Sequence, residues 1–383
     1  MTWILAAPWI LVLMVITYRY ARRRPHLRDY SPAPSGPLVS VIVPARNEAL
    51  NIEACARSIL AGAYERLEVI VVDDRSTDGT GDIVQRLARS PEARDRLLLV
   101  HGAELLPGWF GKQWALVQGY RVARGDLLLF ADADTHHEPE LIPRAVAALH
   151  AEAADLLSVV PRQEMETFWE RLIQPQVFLA LQARVGDLRH VNRTRIEWNA
   201  IANGQFILTT RAAYEAVGTH EAVKNIVTED VALAQAYVRA GKDIFLAHAP
   251  AYMSTRMYRS LAEIIGGWSK NLALGAPLTM PPIPIVRRAL PYLMWLPALF
   301  WVLPPIGWAV WGWDFAMIAT LVSFVIWLEV YHEERAPLWY ALLYPFGAAM
   351  VAYIMIRSAW RGARKVEWRG RLYRGSGSHR ADV

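Results

Sequence analysis

The chain has a single cysteine, Cys55, in 383 residues. One thiol cannot close an internal disulfide, so the fold must hold without one. Charge is also scarce: charged residues make up 20 % against 54 % hydrophobic. That excludes a disordered chain and is apolar for an ordinary soluble protein. It is too much charge for a chain built only of membrane spans. Charge is missing from Trp3–Tyr18 and Leu338–Ile356, and Ala289–Tyr331 carries only Asp314 and Glu329. No internal repeat or long low-complexity tract is present. The composition points to one soluble domain joined to a few membrane spans.

The aromatic residues support this division. Eight of the sixteen tryptophans lie between residues 290 and 360, and Trp is enriched where a chain crosses the membrane–water interface. The net charge of +5 raises the question of a nucleic-acid partner. However, Arg and Lys concentrate at Arg19–Arg28 and Arg357–Arg374, each just after an apolar segment. That is positive-inside topology, and no nucleic-acid partner is expected. The arginines follow Trp3–Tyr18 rather than precede it, which favours a retained anchor over a signal peptide. Further spans are expected near 290–311, 315–331 and 338–356. Three such crossings would put the tail on the far side of the membrane. Yet 357–374 holds seven basic residues and one acid, so one segment is expected to be re-entrant or interfacial. Pro304–Pro305 would break a helix.

Between the apolar ends, Tyr30–Pro37 (YSPAPSGP) reads as a stiff extended linker. From Leu38 onward, LVSVIVP, LEVIVVD, LLLVH, DLLLFAD and DLLSVVP are continuous Val/Ile/Leu runs, as in parallel strands buried on both faces. Helical spacing fills Glu48–Leu60, Gly81–Leu87, Lys112–Val122 and Pro139–His150. The alternation predicts an α/β fold with a mostly parallel sheet flanked by helices. The expected organisation is an anchor and basic flank at 1–29, a linker at 30–37 and the α/β domain at 38–285. Transmembrane helices follow at 286–358 and a basic tail at 359–383.

Open parallel sheets bind ligands beyond the carboxyl ends of their strands. There the sequence places Pro44-Ala45-Arg46-Asn47-Glu48, then Asp73-Asp74, then Asp132-Ala133-Asp134. Each cluster alone suits a turn or helix cap; three on one sheet edge suggest a site. In an extended segment Asp132 and Asp134 point the same way. Two such carboxylates suit Mg²⁺ or Mn²⁺, which commonly also takes phosphate oxygens. Lys112 follows glycines and opens a helix, a place suited to a diphosphate. Thr228-Glu229-Asp230 is either an ordinary helix start or the carrier of a general base, Asp230.

Taken together, VSVIVPARNE, VVDDRSTDGT, FGKQWAL, FADAD and TED resemble glycosyltransferase family two, inverting enzymes with the GT-A nucleotide-diphospho-sugar fold. The resemblance covers about residues 38–275. It implies that Pro44, Ala45, Asn47, Glu48, Asp73 and Asp74 hold the nucleoside. Lys112, Asp132 and Ala133 would lie at the nucleotide sugar, Asp134 with Asp132 at the metal, and Asp230 would deprotonate the acceptor. Processive members carry Gln-x-x-Arg-Trp; here Gly267-Trp268-Ser269-Lys270 stands instead. Trp268 is then expected at the acceptor and Lys270 near the diphosphate, with Glu229 and Gln205 on the same side. LPGWFGKQWAL, PRQEMETFWERL, NAIANGQFIL and MYRSLAEIIGGWSKNLALGA resemble the carotenoid- and hopanoid-associated membrane subgroup, which implies a UDP-sugar donor and a hydrophobic lipid acceptor. A polysaccharide synthase, a polyprenyl-phosphate glycosyltransferase or an inactive scaffold are the rivals. The apolar residues of Glu164–Leu188 are expected on a helix broken near Pro175, serving core packing or lying at the membrane interface.

Overall fold

The computed structural model describes residues 2–22, 24–361, 365–368 and 371–374. Helix α1 (Thr2–Ala21) precedes the domain. The first four apolar runs form adjacent parallel strands: β1 (Val39–Ala45), β2 (Leu67–Asp73), β3 (Leu97–His101) and β4 (Leu127–Ala131). Every residue of β1 and β2 is buried, because helices cover both faces. Those helices include α2 (Ile52–Leu60), α3 (Thr80–Ala88), α4 (Gly111–Val122) and α5 (Leu141–Ala151).

The next strands are β5 (Thr135–His137), β6 (Leu156–Val160), β7 (Arg162–Gln163), β8 (Phe206–Thr210), β9 (Ile244–His248) and β10 (Met253–Thr255). The main sheet runs β3-β2-β1-β4-β8-β6-β9. Only β8 is antiparallel to its neighbours in it. A small second sheet, β5-β10-β7, stands at the carboxyl edge. Chain order also gives α6 (Phe168–Val185), α7 (Leu188–Asn192), α8 (Arg211–Ala216), α9 (Glu229–Arg239) and α10 (Leu261–Leu278). After them come α11 (Pro284–Leu293), α12 (Leu296–Trp311), α13 (Asp314–Glu333) and α14 (Tyr344–Arg361). This is the α/β, GT-A fold expected from the sequence, with long apolar helices attached.

Several expectations change. The segment 30–37 is extended but not free: Ala33 N donates to Pro143 O at 3.1 Å and Tyr64 Oη to Pro37 O at 2.8 Å. It straps the domain's edge beside α5. Helix α6 runs straight through Pro175. The span expected at 290–311 is interrupted at Met294–Trp295, and its second part, α12, has 16 residues. Pro297 takes a first-turn position in the new helix, where no amide donor is needed. Pro304–Pro305 lie within α12, which continues past them. Among the described residues, three stretches are long and apolar enough to cross a membrane: Thr2–Ala21, Asp314–Glu333 and Leu338–Trp360. The basic tail lies mostly outside the described residues, apart from β11 (Lys365–Trp368) paired antiparallel with β12 (Arg371–Arg374).

A third apolar core, separate from the two that pack against the faces of the main sheet, joins the two regions. It contains Leu172, Ile173 and Val177 of α6, Ile264 and Trp268 of α10, Trp327 and Tyr331 of α13, and Ile354 of α14. Helices α6 and α10 therefore form a platform between the sheet and the long apolar helices.

Candidate active site

The loops after β1 and β2 are stitched together by side chains. Asn47 stands at φ 53°, its Oδ1 accepting Thr77 N at 2.9 Å while its own N donates to Ser76 Oγ at 2.9 Å. Asn tolerates this left-handed conformation better than most residues. Glu48 N donates to Thr80 Oγ1 at 2.9 Å. Asp73 turns inward: its Oδ1 accepts Ser76 N at 3.1 Å, and a Cβ on Gly81 would come within 2.6 Å of its Oδ2. Asp74 is fully buried, and Pro44, Ala45 and Ala133 are also core residues. The side chains of these five, expected at the nucleoside and, for Ala133, at the nucleotide sugar, are thus buried at the carboxyl edge of the sheet.

The acidic turn after β4 is held from below. Asp132 O accepts Thr135 Oγ1 at 2.7 Å and Cys55 Sγ at 3.5 Å. Burial pushes the Cys55 thiol up to about 12, so the one cysteine is an unreactive strut. Asp134 O accepts Thr255 Oγ1 at 3.3 Å. Tyr258 lies close by, its phenol pushed up by burial and then by the charge of Asp134.

Four distant segments meet at Lys112. Its Nζ lies 2.8 Å from Asp132 Oδ1 and 2.7 Å from Glu229 Oε1. Burial would lower this ammonium, but Asp132 and Glu229 outweigh it and hold its pKa well above the usual lysine range. Asp230 Oδ2 accepts Gly204 N at 2.9 Å, and its Oδ1 accepts Val231 N at 2.8 Å. A Cβ on Gly204 would sit 3.1 Å from Lys112 Nζ and 3.2 Å from Asp230 Oδ2, so glycine permits the approach. Thr228 makes no side-chain cap to α9. Burial raises the Asp230 carboxyl to about 6, with Glu229 adding to the shift and Lys112 opposing it. A carboxylate poised near neutral pH suits a general base.

The other expected residues divide. Gln205 is buried, its Nε2 3.3 Å from Thr255 Oγ1, and so braces the strand that supports Asp134. Trp268 is 5 % exposed and packs edge-on against Phe178 and Tyr258. It belongs to the platform core rather than to an open acceptor surface. Lys270 is half-buried on α10. Two residues along a helix turn the side chain by about 200°, so Trp268 and Lys270 cannot face one ligand together. The sequence reading missed Thr255, Tyr258 and Arg256. They lie at the end of β10 and just after it, and that strand is too short to stand out as an apolar run. Arg256 makes a bidentate pair with the fully buried Glu170 at the start of α6, at 2.9 and 3.1 Å.

Among the described residues no three His, Cys, Asp or Glu side chains gather as a metal group. Asp132 and Asp134 supply two hard carboxylates, which fits a cation whose remaining ligands come from a diphosphate.

Sheet order and the gathering of acids and Lys112 at the sheet's carboxyl edge define an α/β domain whose ligand edge is the usual one for open sheets. Comparison with known proteins agrees. Residues 40–217, a little under half of the chain, match the family Glycosyl transferase family 2. A 4,4'-diaponeurosporenoate glycosyltransferase of Staphylococcus haemolyticus is 27 % identical over 248 residues, 64 % of this chain and 64 % of that protein. An undecaprenyl-phosphate 4-deoxy-4-formamido-L-arabinose transferase of Pseudomonas aeruginosa is 31 % identical over 156 residues, 40 % of this chain and 44 % of its own. The chain thus spans slightly under two thirds of the first relative and under half of the second. A mannosyltransferase from Pyrobaculum calidifontis, solved with GDP-Man and Mn²⁺, superposes with TM-score 0.55 at 22 % identity, covering 94 % of this chain and 98 % of that one. At that identity the likeness is one of fold.

Proposed function

We propose that the chain is a membrane-seated, inverting glycosyltransferase. It moves a hexose, with glucose from UDP-glucose as the first candidate, onto the hydroxyl of a carotenoid- or hopanoid-like lipid. The observation that carries this reading is the meeting of Lys112, Asp132, Glu229 and Asp230 at one sheet edge, beside a platform that leads to long apolar helices. The names of the diaponeurosporenoate and undecaprenyl-phosphate relatives favour a lipid acceptor.

The acceptor oxygen attacks the anomeric carbon as the bond from that carbon to the diphosphate oxygen breaks. Asp230 takes the acceptor proton, and one in-line displacement inverts the centre. Lys112 lies where it can offset charge growing on the departing diphosphate. Asp132 and Asp134 would hold a divalent metal, Mg²⁺ or Mn²⁺, which when bound neutralises that same charge. The two relatives' printed names differ in acceptor, so the identity of the lipid is the first quantity to measure.

Orientation follows from packing. Thr17 Oγ1 donates to Glu329 at 2.9 Å and Arg24 pairs with Glu333 at 2.8 Å, so α1 and α13 end at the same level. Helix α14 touches the platform near both its ends: Gln176 Nε2 donates to Tyr344 O at 3.2 Å, and Ser358 Oγ to Ser269 O at 2.7 Å. We read α12–α13 as the crossing hairpin and α14 as the interfacial segment. The basic tail then stays on the domain's side, the cytoplasmic side where nucleotide sugars are made.

The test is incubation of membranes with labelled UDP-sugars, lipid extraction and mass analysis. A lipid carrying one added hexose supports the reading. A water-soluble polymer, or no lipid product with any donor, overturns it.

A further inference from the structure

A cavity of about 590 Å³ opens between the entry to α6 and the turn after α13. One wall is formed by Arg162, Gln163, Glu164 and Arg171; the other includes Glu334 and Arg335. The first wall is the back of the segment that braces the acidic pair, since Glu164 N donates to Thr255 O at 2.8 Å.

Its charges do not cancel. Arg162 pairs with Glu164 at 3.3 Å. Glu166 is taken by Arg256 at 2.5 Å. Arg171 gives its Nε to Met165 O at 3.0 Å. Among the described residues, neither Arg171 nor Arg335 has a carboxylate within ion-pair distance. Burial, with Glu333 nearby, pushes the Glu334 carboxyl up to about 7, so near neutral pH this acid carries about half its charge. Arg335 stands at φ 54° just past the end of α13, where glycine or asparagine is usual.

Both walls continue into exposed apolar side chains. Phe168 and Trp169 are 43 % and 37 % exposed, and Leu338 and Trp339 are 48 % and 54 % exposed. The Phe168 ring meets Tyr340 at 5.6 Å, joining the two strips. A cationic hollow with an apolar lip fits an amphiphile with an anionic head. A free phosphate would make no use of the lip.

We propose that this cavity holds the phosphate head of an anionic membrane lipid, gripped by Arg171 and Arg335, with its chains lying along Phe168, Trp169, Leu338 and Trp339. The inference rests on the membrane seat proposed above and not on the transfer chemistry. Guanidinium–phosphate contacts are charge-assisted and geometrically selective.

Full-length protein in uncharged detergent, exposed to phosphatidylglycerol or phosphatidylcholine and weighed by native mass spectrometry, tests it. The wild type is expected to retain phosphatidylglycerol about tenfold better than phosphatidylcholine. Arg335→Gln should lose most of that preference and Arg335→Lys part of it. Arg171→Gln combined with Arg335→Gln should abolish it. Millimolar inorganic phosphate should leave the lipid bound. Equal retention of the two lipids, an unchanged preference in the double variant, or displacement by phosphate alone overturns the proposal. Because Arg335 is exposed in a turn, its substitution does not threaten folding. UDP binding measured on the same samples separates this outcome from failure of the transfer reading.

Discussion

Asp230 is surrounded by opposed influences: burial and Glu229 raise its pKa, while Lys112 and two backbone N–H groups lower it. The net value of about 6 sets a pH dependence whose sign can be worked out. The base form grows as pH rises through about 6, so kcat/KM is expected to climb over that range and then level off. Asp230→Asn should lower kcat by about 10²–10⁴ and remove that limb, with donor binding retained. A folded-state pKa raised from 3.8 to about 6 also means that Asp230 costs stability progressively as pH rises from about 4 to about 6, with the full cost present above that. Asp230→Asn should therefore melt no lower than wild type at pH 8, and a scanning melt checks this. Lys112→Met would leave the Asp132 and Glu229 carboxylates facing each other. A loss of about 1–3 kcal/mol, read by denaturant titration, should accompany loss of donor binding. At this scale Asp73, Asp74, Asp132 and Asp134 stood out as polar clusters after buried strands, and Lys112 as a lysine after glycines at a helix start, whereas the local sequence left Asp230 open between helix cap and base. The roles of Trp268 and Gln205 were not legible. Whether a side chain points into a core or a cleft depends on partners such as Phe178 and Thr255, far away in sequence.

Among the elements, α6 is tied to the small sheet through Arg256 and Glu170. Glu170 also caps its own helix, accepting Thr167 N at 2.6 Å. Arg256→Ala would strand a buried carboxylate and should destabilise by about 3 kcal/mol. Arg256→Lys should recover only part, because one ammonium cannot replace a bidentate fork. Melting of both variants, with KM for the acceptor, distinguishes loosening of the platform from loss of donor binding. The strands β1 to β4 and β6 were legible because their apolar runs are continuous rather than alternating, and in β1, β2 and β4 because every residue is buried. Strands β8 (FILTT) and β9 (IFLAH), no shorter than β3, β4 and β6, were passed over because threonine, or alanine and histidine, close their shorter runs of large apolar residues. The break between α11 and α12 was expected at the paired prolines. It occurs instead where Pro297 can open a new helix, while α12 accommodates Pro304 and Pro305.

For the molecule as a whole, the third core makes the domain and its membrane portion one packed body. The proposed reading, with α14 at the interface, predicts that the carboxyl end of the chain lies on the same side as the α/β domain. A protease-sensitive tag at the C-terminus should be cleaved in inside-out vesicles and spared in right-side-out ones; the reverse would make α14 a crossing helix. Cleavage in inside-out vesicles would remove the conflict between an odd number of crossings and the basic tail, with α14 as the segment that does not cross.

Transfer itself is tested most directly by incubating membranes containing wild type or Asp230→Asn with labelled UDP-glucose and a divalent metal, then weighing the extracted lipids. Wild-type membranes should yield a lipid heavier by one hexose, and the variant should yield almost none while still binding UDP. Label found only in a polymer, or an equal yield of hexosyl lipid from both membranes, would show that Asp230 does not drive transfer of a sugar to lipid.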